Sequence, residues 1–223
     1  MRRKNQFPEM EVGRQCLRPA IPEIAVAAKH LDDAVSAHLS LQPKLAEELI
    51  DQANIPAIRD WAESLWGKTN PYNQYQLIAG APPTLKAVQR EKLRRPSSEL
   101  KQLLHSRDGY HCRFCGIPVV RMEIRNRLRK LYPSVLPWAP WRTTNHAAFQ
   151  AIWANYDHVL PHSRGGTSDL DNMVVVCAPC NFGRGNHTVE EARLADPRTR
   201  EPVRSAWDGL ERLLRSPEPS SAS

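Results

Sequence analysis

No stretch of this 223-residue chain approaches the ~18 to 20 consecutive apolar residues that a membrane helix needs. The opening "MRRKNQFPEM" is basic but lacks the apolar segment of a secretory signal, so the expectation is a cytoplasmic protein with no membrane partner. No internal repeat is apparent, which leaves a solenoid or propeller without support. Acidic residues are outnumbered, 24 against 31 basic ones, giving a formal charge of +7 and a pI near 9.4. That imbalance excludes an acidic, solvating chain and favours a polyanionic partner. The excess is nevertheless spread out: residues 1–95 carry 14 Lys and Arg against 11 Asp and Glu, and residues 96–223 carry 17 against 13. Charge alone therefore does not single out nucleic acid.

Cysteine is scarce too, with five in all, but four of the five are paired as Cys112-x-x-Cys115 and Cys177-x-x-Cys180. In a reducing compartment two such pairs read as one tetrahedral thiolate zinc site, against the plainer alternative of paired buried thiols. Cys16 stands alone and reads as a free thiol. The 61 residues between the pairs far exceed the ~15 to 20 of a simple zinc ribbon, so a larger structure sits between them.

From Ile21 to Trp66 apolar residues recur at helical spacing, among them Ile24, Leu31, Val35, Leu45 and Leu49, with Pro22, Pro43 and Pro56 where helices begin. This is a helical N-terminal region in which His30 and His38 belong to solvated faces and Trp61 and Trp66 to the core. "AGAPPTLKAVQREKLRRPSS" reads as a connector around a short basic helix, with a boundary near residue 96. Residues 1–96 thus form one unit of unknown role. Beyond it, "SSELKQLLHSRDG" reads as a helix ending at Asp108-Gly109, followed by a hairpin holding the first cysteine pair. "VVRMEIRNRLRKLYP" sets Val120, Ile124, Leu128 and Leu131 on one stripe, with Arg121, Arg125, Arg127, Arg129 and Lys130 elsewhere. That basic helix either tracks a phosphate backbone or is a solvated face. "PWAPW" follows as a rigid loop and "NHAAFQAIW" as another helix; Trp138 and Trp141 either stack on bases or pack over the insertion. The "SPEPSSAS" end has the composition of a disordered tail behind a C-terminal helix, together spanning residues 201–223.

The stretch "YDHVLPHSRGGTSDLDNMVVVCAPCN", residues 156–181, then reads as strand, loop, strand and helix start, with a Gly165-Gly166 turn and the second cysteine pair at its margin. The overall class is α+β, with a zinc-stapled ββα unit following the helical N-terminal region.

Taken together, Cys112-x-x-Cys115, Asp157-His158, Ser163-Arg164-Gly165-Gly166, Asp169-Leu170-Asp171-Asn172 and Cys177-x-x-Cys180-Asn181 resemble the HNH endonucleases of the ββα-metal superfamily, in the McrA-like branch with a four-cysteine zinc site. The resemblance covers roughly residues 97–190, within a nuclease domain drawn at 97–200 with an insertion at about 117–155. It implies a metal-dependent endonuclease that cuts DNA, leaving 5′-phosphate and 3′-hydroxyl ends; RNA stays open as a substrate. A role in restriction, phage defence or a mobile element follows from the same resemblance. It gives His158 the part of general base and Asn172 that of a brace for the loop and the base. Asp157 and Asn181 become ligands of one catalytic ion, and this all-oxygen pair suits Mg²⁺ or Mn²⁺. Cys112, Cys115, Cys177 and Cys180 hold a structural Zn²⁺.

Asn181 departs from the family's usual final histidine, so the signature is H-N-N. A second departure is the 41-residue link from Cys115 to Asp157, longer than in compact members. Arg164, Arg184, Arg121 and Arg125 are candidate nucleic-acid contacts, Arg184 standing where relatives carry lysine. His162 and His187 read as loop histidines, and Thr188 with Glu191 as a capping box for a following helix. Cutting both strands requires two active sites or sequential nicks, so a homodimer is one expectation. The competing reading is a zinc-stabilised DNA-binding module with a vestigial nuclease site.

Overall fold

In the computed structural model, which describes residues 13–66, 71–72, 75–139 and 144–215, the three N-terminal prolines each open a helix. Helix α1 spans Pro22–Leu39, α2 Pro43–Gln52 and α3 Pro56–Trp66. Proline at the first position loses nothing, because its missing N–H would have had no intrahelical partner. Ile24, Leu31 and Val35 of α1 bury their side chains with Ala46 and Ile50 of α2, each aliphatic side chain contributing roughly 1.5–3 kcal/mol of burial. Helix α3 packs on elements of the C-terminal half, and one continuous core joins both halves.

The connector is not the short basic helix expected: residues 75–97 form no α-helix, only a turn at Ala79–Gly80 and one 3₁₀ turn at Ala87–Gln89. Its apolar residues, Val88 and Leu93, lie exposed, so no buried stripe holds a helix there. Helix α4 follows at Ser98–Asp108, capped by Ser97, whose hydroxyl accepts from Leu100 N–H, and ended by Gly109 at φ +71°. Helix α5 spans Met122–Leu131 and α6 Ala147–Ala151. Strand β1 (Ala154–His158) pairs antiparallel with β2 (Met173–Cys177), Asp157 opposite Val174, and helix α7 (Ala178–Arg184) starts directly from β2. The ββα unit is therefore where the sequence placed it.

A two-stranded sheet leaves an edge on each strand, and β2 is buried throughout. Val175 meets this demand with a side chain and a loop: its N–H donates to the buried Asp108 carboxylate (2.9 Å) and its carbonyl accepts from Arg113 N–H (2.9 Å). Asp108 thereby ties the end of α4 to the strand, while Arg107 holds the same carboxylate with two guanidinium nitrogens.

One smaller expectation changes. The Thr188–Glu191 box forms, with Thr188 N–H on Glu191 Oε2 (3.0 Å) and Glu191 N–H on Thr188 Oγ1 (3.2 Å), but it closes a turn instead of opening a helix. Of the C-terminal helix the described residues hold one turn, α8 at Arg212–Arg215. The basic start, the tail "SPEPSSAS" and Trp141 lie outside the described residues. Among the described residues no helix is long and apolar enough to cross a membrane.

Candidate functional site

The four paired cysteines converge. Their sulfurs all lie within 4.8 Å of one another, with Cys115 Sγ 3.6 Å from Cys177 Sγ, close to the ~3.8 Å edge of a tetrahedron built on 2.3 Å zinc–sulfur bonds. Two local devices bring this about. The first knuckle is a tight loop in which Gly116 N–H reaches Cys112 O and Cys112 N–H reaches Ile117 O. The second uses the β2–α7 junction, with Cys177 at the N-terminal cap and Cys180 within the first turn. Burial opposes ionisation of Cys112, yet hydrogen bonds from the other three thiols outweigh it and hold Cys112 well below the ordinary thiol value. Four soft sulfur donors around a single point, one of them readily ionised, fit a closed structural zinc site and leave no position for substrate.

Strand alternation sends Asp157 and His158 to opposite sides. On one side, α7 lies across β1. Arg184, with its side chain 1% exposed, donates from Nε (3.0 Å) and Nη2 (2.7 Å) to the same Asp157 oxygen, Oδ2. It also donates to the carbonyls of His158, Val159 and His187. One turn earlier, Asn181 Nδ2 donates to Asn155 Oδ1 (3.2 Å). The three-residue spacing of Asn181 and Arg184 on the helix thus matches the two-residue spacing of Asn155 and Asp157 on the strand. Burial raises the Asp157 carboxyl above its ordinary value, with Arg184 opposing that rise.

On the other side, His158 Nε2 lies 3.0 Å from Ser168 Oγ. The Ser168 hydroxyl donates to Leu93 O (2.5 Å), and since a carbonyl can only accept, its oxygen must accept from His158 Nε2–H. This pattern assigns the Nε2 tautomer and leaves the basic lone pair on Nδ1. The connector supplies the cover: besides Leu93 O, Glu91 Oε2 accepts from Ser168 N–H (2.6 Å) and Glu91 O pairs with His162 Nε2 (2.8 Å). His158 is consequently only 7% exposed, and burial, aided by His162 and Arg94, lowers its pKa to about 4.

Asn172 closes the loop between the strands. Its Oδ1 accepts from Leu160 N–H (2.8 Å), and its Nδ2 donates to Leu160 O (3.1 Å) and Thr167 O (2.9 Å). Gly166 permits that closure, because a Cβ there would stand 1.8 Å from Leu160 O.

The four arginines expected as candidate nucleic-acid contacts all have partners within the chain. Arg184 is wholly buried on Asp157. Arg121 forms a two-pronged pair with Glu211 (2.6 Å each). Arg125 is buried, its guanidinium 3.9 Å over the Trp138 ring. Arg164 pairs with Glu191 (2.9 Å) and donates to Pro82 O and Asn186 O. The connector carries exposed cations at Lys92, Arg94 and Arg95, of which Arg94 acts on His158. Sequence reasoning missed Ser168, Asn155 and the connector cover. Ser168 carries a signal, a hydroxyl just after the double-glycine turn; the connector carries none, because its contacts bridge 71 to 77 residues of chain.

Residues 148–195 match the family model described as HNH endonuclease. The match contains Asp157, His158, Asn172, the second cysteine pair, Asn181 and Arg184, while the first cysteine pair lies before it. A search of the curated proteins and a search of the solved structures each return no match. Strand, loop, strand and helix follow one another across the matched residues, and this stretch of the chain is accordingly similar to the HNH endonuclease domain, which supports a nuclease.

Proposed function

We propose that the chain hydrolyses DNA phosphodiester bonds, with His158 as general base and one hard divalent cation, Mg²⁺ or Mn²⁺, at Asp157 and Asn181. The observation that carries this reading is the pairing of a base and a carboxylate on opposite faces of β1, each fixed by its own partner. Ser168 sets the His158 tautomer and leaves Nδ1 to take a proton from water. Arg184 engages Asp157 through Oδ2 alone, an arrangement typical of a carboxylate supported from behind while its other oxygen faces a metal. The residues present therefore fit the cation: both donors are hard oxygens on the seam between β1 and α7. When bound, such an ion supplies Lewis-acid polarisation of the scissile phosphate and charge stabilisation of the leaving 3′-oxygen.

The protein's own residues do the rest. His158 Nδ1 receives the proton of the attacking water, and its neutral state at pH 7 follows from burial. Asn172 keeps Leu160 and Thr167 in place, and through them the loop carrying Ser168. The zinc cluster fixes the β2–α7 junction from which Asn181 and Arg184 project. For a strand to reach Nδ1, the connector segment around Glu91–Leu93 has to leave its place over His158.

The test is nicking of supercoiled plasmid by zinc-loaded protein with Mg²⁺ or Mn²⁺, beside His158→Ala and an EDTA control. Metal-dependent nicking by wild type alone is expected. Folded, zinc-replete wild type that nicks no better than His158→Ala on plasmid, single-stranded DNA or RNA overturns the proposal in favour of a binding module.

A further inference from the structure

A cavity of about 580 Å³ lies between α3, α5, α7 and the residues flanking β1. Its walls are aromatic: Trp66, Trp138, Trp153 and Phe182. The ring centres stand 5.9 Å apart for Trp66–Phe182, 6.1 Å for Trp153–Phe182 and 6.1 Å for Trp138–Trp153. The four rings thus stand in edge and tilted contact in a chain, Trp66–Phe182–Trp153–Trp138, and frame the cavity without filling it. Phe182 is also 48% exposed, so the void opens to solvent past a large apolar side chain.

Arg125 brings an unmade donor to the cavity wall. Arg125 is 5% exposed and lies over the rings of Trp138 (3.9 Å) and Trp153 (5.2 Å). Its Nε and Nη2 share Asn126 Oδ1, whereas Nη1 is buried without a hydrogen-bond partner, and among the described residues no carboxylate stands within ion-pairing distance. A buried donor left unmade is costly, and a ligand bearing an acceptor oxygen relieves that cost. Flat aromatic walls with one guanidinium donor, in a volume typical of small-ligand sites, suit a planar ring carrying a carbonyl.

Position decides which planar ring. Phe182 directly follows Asn181, and Asn181 bonds Asn155, whose own amide reaches Trp153 O (3.3 Å). The cavity therefore shares a wall with the seam assigned to the cation. A base in a duplex reaches such a side pocket only by leaving the stack.

We propose that this cavity receives one nucleobase extruded from the substrate strand, stacked on the aromatic walls with a carbonyl oxygen accepting from Arg125 Nη1. The inference rests on the nuclease reading above and adds a specificity to it: guanine, cytosine and thymine carry the required oxygen, and adenine does not.

The test measures affinity, in EDTA, for labelled duplexes whose central pair is matched or mismatched, because a mismatched base is cheaper to extrude. Wild type is expected to favour the mismatched duplex by roughly tenfold. Phe182→Ala removes a half-exposed ring with little risk to the fold, and should erase that preference with an affinity loss of ~5- to 100-fold. Arg125→Met should do the same, most strongly where the mismatched base is guanine. Equal affinity of wild type for both duplexes, or a preference that survives Phe182→Ala, overturns the proposal. Quenching of tryptophan fluorescence by free guanosine monophosphate without any mismatch preference overturns it as well, making the cavity a nucleotide effector site. The same preparations are assayed for nicking with Mn²⁺. Nicking without the preference refutes the base pocket alone, and the preference without nicking refutes the nuclease reading alone.

Discussion

Removing Arg184 should do more harm than any other single arginine substitution, and most of the harm should come from what is left behind. Arg184→Leu strands the Asp157 carboxylate in a buried site and removes the donors to three backbone carbonyls. Breaking a buried ion pair from one side costs about 3–5 kcal/mol. Each stranded carbonyl adds up to ~1–3 kcal/mol where water does not replace the donor. These terms are not additive, and a loss of about 5 kcal/mol is expected, a large share of the 5–15 kcal/mol typical of a whole domain. The Asp157→Asn/Arg184→Leu pair carries no buried charge and should be roughly 2 kcal/mol more stable than Arg184→Leu alone. The assay is urea unfolding in excess zinc, followed by tryptophan fluorescence with linear extrapolation. An Arg184→Leu protein within ~1 kcal/mol of wild type would refute the reasoning. So would a double variant no more stable than the single one.

Three further outcomes follow from the geometry. Metal analysis should find one zinc per chain, and Cys180→Ser or a strong chelator should lower the melting temperature sharply; equal melting with and without zinc would contradict a structural site. His146 is wholly buried, donates through Nε2 to Ile50 O (2.8 Å) and has its pKa lowered from 6.5 to about 4 by burial. The unfolded chain thus binds the proton more readily, so this histidine's contribution is complete above pH 6.5 and is lost as pH falls towards 4, by about 3 kcal/mol. A wild-type stability profile that His146→Gln leaves unchanged between those values would count against it. Gly166→Ala sets a methyl against Leu160 O and 2.7 Å from Asn172 Nδ2; hydrogen exchange across residues 160–168 should accelerate, and unaltered protection would show that the loop tolerates the intrusion.

The elements that were legible in the sequence share one property: they are specified locally. Pro22, Pro43 and Pro56 mark helix starts whatever surrounds them, and "MVVVC" beside a cysteine knuckle reads as a strand because its β-branched run needs burial on both faces. The ββα unit and the convergence of four cysteines belong to this class. The inward course of Arg184 was not legible, for a different reason. An arginine in a basic chain suggests phosphate, and only the spacing of Asn181 and Arg184 on α7, matched to Asn155 and Asp157 on β1, points inward. Arg125 hid in the same way, since a helix rich in arginine does not reveal which one turns beneath Trp138. The cover over His158 had no local signature at all, because Leu93 and Ser168 meet across 75 residues through the path of an irregular segment.

Under the proposed function, that cover makes access to His158 depend on how firmly the connector holds the loop. The connector is tethered at one end to the helices that end at Trp66 and at the other to the Ser97 cap of α4, and between them it grips the Ser168 loop with three short hydrogen bonds. If the uncovered form is a fraction of the population, the observed rate scales with that fraction, tenfold for each ~1.4 kcal/mol of grip. Because α3 packs directly on α6 and α7, the connector spans two points of one core, and its grip on the loop is set by these three hydrogen bonds.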